Sequence, residues 1–169
     1  AYFKHLKSLE STFEDERLKQ LVELTIDFYN AVTVQRAIRH QKPHSFMTQL
    51  LSDEGTLTNA EWIELAEKGH LASWFSKVNP LEFDAELSIY EEKLRSGKLT
   101  NLELEYLADL VQFKLLEQGR FETSGPLLLV RYLFGKELEV KNLRLILTGL
   151  TNQLPVEIIK ERMRPIYGQ

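Results

Sequence analysis

Apolar residues recur at spacings of three and four along almost all of this 169-residue chain, and alternating runs of strand length are missing. That rhythm belongs to helices with a face turned toward a core. Glycine and proline, the strongest local helix interrupters, fall almost entirely between the periodic stretches. Leu18, Leu21, Val22, Phe28, Val32 and Ile38 mark one long helix, which Pro43 must end. Thr58 and Glu61 have capping-box spacing, and Gly69 is placed to close the helix they open. Asn79-Pro80 punctuates the middle, and the next helix runs toward Arg95 with Gly97 as its stop. Thr100 and Glu103 repeat the capping box before a helix that ends near Gly119. Pro126 stands in the first turn of the longest pattern, Gly149 is expected to stop it, and a last helix runs from Pro155 to Pro165. The predicted class is all-α, a helical array.

Composition narrows the function. Hydrophobic residues make up 43% and charged residues 27%, enough apolar side chain for a real core. A net charge of −4 leaves no broad basic face for nucleic acid or anionic lipid. Cysteine is absent, which excludes disulfide frameworks and thiolate metal sites. The run Leu127 to Val130 falls far short of the ~20 apolar residues of a membrane span. The opening stretch has no signal-peptide layout and begins in mid-helix, with Tyr2, Phe3, Leu6 and Leu9 at helical spacing. A piece of a longer protein is therefore expected.

Two segments resemble each other. Asp27-Phe-Tyr-Asn30 returns 112 residues later as Glu139-Val-Lys-Asn142, each in mid-helix and each followed by an apolar-rich turn. Leu57-Thr58 and Leu154-Pro155 then open a further helix in each copy, after loops of different length. The order suggests a duplication, with one unit over residues 1–79 and a second over 80–169.

The second copy lies within the longest helix, where charges fall on nearly every side. On a helical wheel Leu129, Tyr132, Leu133, Val140, Leu143, Leu147 and Leu150 form one broad apolar stripe, and Phe134, Leu138 and Leu145 a second. Glu137, Lys141 and Arg144 occupy one gap; Arg131, Gly135, Glu139 and Asn142 occupy the other. Two stripes predict a helix interior to the array. Glu139 and Asn142 would then be partly buried polar groups that reach each other or a neighbouring backbone.

Catalytic constellations are not found in the sequence. His40 and His44 have a helical metal-pair spacing, but Pro43 stands between them. No phosphate-cradling glycine motif occurs, and Ser45 beside His44 lacks any oxyanion donor. Acidic pairs such as Glu91-Glu92 read as solvated faces, and Trp62, Trp74, Phe75 and Phe83 as core packing rather than a binding patch. No cofactor or metal is expected.

Tyr132-Leu-Phe-Gly-Lys-Glu-Leu-Glu-Val-Lys-Asn-Leu-Arg-Leu-Ile-Leu147, followed by Leu154-Pro-Val-Glu-Ile-Ile159, resembles the final repeat of the C subunit of bacterial and archaeal V-type ATPases, the d subunit in eukaryotes. Asp27-x-x-Asn30, Arg36-Ala37 and Gly55-x-Leu-Thr58 resemble the repeat before it, although Val32 stands where the later copy has Arg144. The resemblance implies three related helical units around a pseudo-threefold axis, of which this chain would hold the last two. It implies a non-catalytic central-stalk subunit, a socket on the cytoplasmic face of the membrane rotor ring that receives the central shaft and couples ATP turnover to ion transport. Its partners would be ring and shaft subunits, with no nucleic acid and no membrane insertion. Asp27, Asn30, Glu139 and Asn142 would act as structural polar pins, and Arg131 and Arg144 as partner contacts. The rival expectation is a free-standing helical adaptor unrelated to a rotary enzyme.

Overall fold

The computed structural model describes residues 2–81 and 83–167. Among them are nine α-helices and no strand: α1 (Tyr2–Glu10), α2 (Glu16–Arg39), α3 (His44–Leu50), α4 (Asn59–Glu67), α5 (Leu71–Val78), α6 (Ala85–Arg95), α7 (Asn101–Glu117), α8 (Pro126–Thr151) and α9 (Val156–Glu161). The all-α class holds. Helices α3 and α5 are finer than the sequence segmentation, because each is barely two turns long and gives no full period.

The helix starts follow from their caps. Asp15 accepts from the backbone N–H of Arg17, and Asp84 from those of Glu86 and Leu87, satisfying donors that a helix start leaves open. Both expected capping boxes form. The Thr58 N–H donates to Glu61 at 2.8 Å and the Thr100 N–H to Glu103 at 2.9 Å, while each glutamate's own N–H points back at the threonine hydroxyl.

The helix ends share one device. At Gly69 and Gly97 the chain turns left-handed, and the next residue's N–H reaches back five positions, from His70 to Leu65 and from Lys98 to Lys93. Helices α2 and α8 end by the same crossed pair of bonds, but with glutamine at the left-handed position. Gln41 has φ 52° and Gln153 has φ 55°, and the following N–H groups of Lys42 and Leu154 donate to Ala37 and Gly149, both at 2.9 Å. Gly149 therefore does not stop α8, which continues to Thr151. Its role is space: a Cβ there would lie 2.7 Å from the Ile159 side chain of α9.

Chain contacts divide the molecule into two compact units, residues 1–112 and 113–169. In the first unit α2 is central, packed by α1, α3 and α4. Its core is aromatic: Trp74 stands edge-on to Phe28 at 5.2 Å and to Trp62 at 4.9 Å, and Phe75 is fully enclosed. Phe83, grouped with these from sequence, is instead almost wholly exposed. In the second unit α8 packs on α9.

Non-glycine residues in the left-handed region carry a local cost of about 1 kcal/mol. Gln41→Gly and Gln153→Gly should each stabilise the protein by about 0.5–1 kcal/mol, read as a raised midpoint in urea unfolding. The Lys93 ammonium, and then the Thr100 N–H, hold the Glu103 carboxyl below the usual glutamate range. A depressed carboxylate contributes stability above the ordinary glutamate pKa and loses it as pH falls through the folded value. Glu103→Gln should thus flatten the acid limb of a stability–pH curve below about pH 5.

Candidate functional site: a repeated asparagine clamp

Helix α2 carries Asn30 fully buried at its middle. The Asn30 amide nitrogen donates to the Ser52 carbonyl at 2.8 Å, and its oxygen accepts the Ser52 N–H at 2.9 Å. One side chain thereby satisfies both backbone groups of a residue 22 positions further along. Helix α8 does the same. Asn142 donates to the Arg164 carbonyl at 3.0 Å and accepts the Arg164 N–H at 2.7 Å, again 22 positions on.

The equivalence extends without a gap. Gln41 and Gln153, the caps Pro43 and Pro155, the buried Met47 and Ile159, and the clamped Ser52 and Arg164 all stand 112 positions apart. The two loops are therefore of equal length, and the counterpart of Pro155 is Pro43, not Thr58. A shared Gln-x-Pro, Gln41-Lys-Pro43 and Gln153-Leu-Pro155, is the sequence signal that gives this register.

The acidic member of each pair behaves differently in the two copies. Asp27 is fully buried and its carboxylate gathers three donors: the Thr56 N–H at 2.8 Å, the Thr56 hydroxyl, and the Trp74 indole N–H at 3.1 Å. Gly55 makes this possible, since a Cβ there would lie 2.2 Å from Asp27 Oδ1. Glu139 is only half-buried and accepts from Lys136 on its own helix at 2.8 Å, rather than from Asn142. The position matching Thr56 is residue 168, outside the described residues.

In the second unit the residue matching Gly55 is Tyr167, which lies across Gly135 so closely that a Cβ on Gly135 would come within 2.6 Å of it. Arg131 is buried, bonded to Glu117 at 2.7 Å, and its guanidinium stacks 4.6 Å from the Tyr167 ring. Arg131 thus has an interior setting, whereas Arg144 is exposed.

The gap on α8 that the sequence assigns to Arg131, Gly135 and Asn142 is buried as expected, and Asn142 reaches a neighbouring backbone, but the broad leucine stripe beside it is not covered. The buried face of α8 is Leu127, Arg131, Gly135, Leu138, Asn142 and Gly149, which receives α9 and the segment after it. The broad stripe from Leu129 to Leu150 lies open, with Leu133, Leu143, Leu147 and Leu150 all more than half exposed. The helix is therefore not interior within the described residues. Gly135 and Gly149 on the buried face leave room for Tyr167 and Ile159 to approach, and Asn142 clamps the chain that passes there.

Among the described residues no group of three or more histidine, aspartate or glutamate side chains is arranged to hold a metal ion, and no helix is long and apolar enough to cross a membrane. His44 pairs with Glu67 at 2.5 Å, and His40 is the C-terminal cap of α2, on a different helix from His44. The site is a set of fastenings between long helices and returning chain.

Repeated all-helical units fastened in this way place the chain in a class of repeat-built helical scaffolds. The model of the ATP synthase (C/AC39) subunit family matches residues 1–162, and the chain belongs to that family. It is 30% identical over 154 residues to the C subunit of the V-type sodium ATPase of Enterococcus hirae, a match covering 90% of this chain and 45% of that relative. The chain thus spans under half the length of the relative it matches. No solved structure matches it.

Asn30→Asp and Asn142→Asp keep the acceptor and lose the donor, leaving a buried carbonyl without its partner. Each should cost about 1–3 kcal/mol in thermal or urea unfolding. Glu139→Ala, which breaks only an exposed intrahelical pair, should cost less than about 0.5 kcal/mol. Asp27→Ala should cost several times more, since it strands Trp74 and Thr56 in the interior.

Proposed function

We propose that this chain is part of a non-catalytic rotor subunit of a V-type ATPase, a socket between the central shaft and the membrane ring on the cytoplasmic side of the membrane. The match of the subunit family to nearly the whole chain carries this reading. The internal repeat supports it: 154 residues make 45% of the matched relative, so that relative's full length would hold close to three repeats of 112. A three-unit socket is the architecture that such a length accommodates. We take the repeat, rather than the 79/80 division, as the ancestral unit.

A part that transmits torque must not yield when its ends are twisted. Clamping both backbone groups of a returning loop removes the freedom of that loop to slide along the long helix. Asp27, Asn30 and Asn142 are proposed as these pins, with Glu139 completing the second set only when it has a further donor. Arg144, exposed on α8, is proposed to contact a partner subunit.

Purification of a tagged chain from membrane extracts of its own cells tests the proposal. Ring and shaft subunits should co-purify stoichiometrically, and Arg144→Glu should weaken that association while leaving the unfolding midpoint unchanged. Recovery of the chain without either set of subunits would favour a separate adaptor role and overturn the rotor reading.

A further inference from the structure

Helices α2 and α8 match position by position, yet one face that is closed on α2 is open on α8. On α2, Leu24, Phe28 and Ala31 are each at most 2% exposed. Helix α5 covers the Phe28 part of that face: Trp74 stands edge-on to Phe28, and its indole N–H donates to Asp27. The residues 112 positions later are Lys136, Val140 and Leu143, with Glu139 in Asp27's place. Val140 is 45% and Leu143 59% exposed, and Leu147 beyond them 65%.

The open face is organised. Its apolar positions alternate in steps of four and three from Leu129 to Leu150, interrupted once by Lys136. This is the spacing of a seam that receives another helix, and a single lysine within it sets register. Glu139 flanks the seam with a carboxylate bonded to one exposed lysine of its own helix.

We propose that this face of α8 receives, from outside these 169 residues, a short amphipathic helix with the chemistry of α5. That helix carries two adjacent aromatic side chains, one with an indole N–H that donates to Glu139 as Trp74 donates to Asp27. The inference goes beyond the rotor reading and does not depend on it, because it rests on the equivalence of two helices within one chain. A second copy of this chain is a poorer occupant, since its own α5 is already engaged against α2: Trp74 and Phe75 are 3% and 0% exposed.

The test uses the whole chain and, as probe, a fluorescein-labelled peptide of residues 59–79, which spans α4 and α5. Saturable binding below about 1 mM is expected by fluorescence anisotropy. Leu143→Asp, at an exposed position whose folding is checked by circular dichroism, should weaken it by about tenfold or more. Glu139→Ala and a Trp74→Phe probe should each weaken it several-fold, and together no more than either alone, because both remove the same hydrogen bond. Absence of saturable binding, binding indifferent to Leu143→Asp, or additive losses from the two partners would overturn the proposal. So would sedimentation showing a dimer of the chain that Leu143→Asp dissolves, which would give the face to a second copy.

Discussion

A primary amide is the one side chain that copies a peptide unit, with a donor and an acceptor at the spacing a backbone residue presents. Asn30 and Asn142 each use this likeness to hold a returning segment as a neighbouring strand would, inside an all-helical chain. The rest of the fold is arranged around the requirement. The clamped segment must come close to a long helix, so a glycine stands at the approach in each copy, Gly55 on the returning segment of the first and Gly135 on the helix of the second. The left-handed turn at Gln41 or Gln153 and the proline after it start the chain on its way back. Buried Met47 or Ile159 then seats the short returning helix. Each element makes sense as a way to deliver one peptide group to one asparagine.

Much of this is legible in the sequence. The class, the helix boundaries at Pro43, Gly69, Gly97 and Pro126, and both capping boxes are readable because local chemistry decides them. The recurrence of an acid three residues before an asparagine is visible too. What the sequence hides is direction. The buried gap holding Arg131, Gly135 and Asn142 is readable on the wheel, but counting hydrophobic residues also puts the leucine stripe of α8 inward, and that stripe is exposed. Hydrophobic periodicity reports where apolar surface lies, and says nothing about whether the partner that covers it is present.

The register of the repeat is obscured for a related reason. Leu57-Thr58 and Leu154-Pro155 look alike as helix starts, and helix starts resemble one another in any chain. A glutamine in the left-handed region is rarer, and two of them 112 positions apart fix the alignment more firmly than any apolar match. The divergence of Asp27 from Glu139 then becomes informative. The same position is a saturated buried carboxylate in one copy and a half-exposed one in the other, each on the long helix of its own copy, one turn before the clamp.

The clamp takes hold of peptide groups and ignores what hangs from them. Ser52 and Arg164 occupy the same place, one small and neutral, the other long and cationic, and both are held equally well. A fastening blind to side chains frees the fastened loop to drift in sequence without loosening the frame. Copies of such a unit can therefore acquire different surfaces, and meet different neighbours, while the skeleton that carries them stays the same.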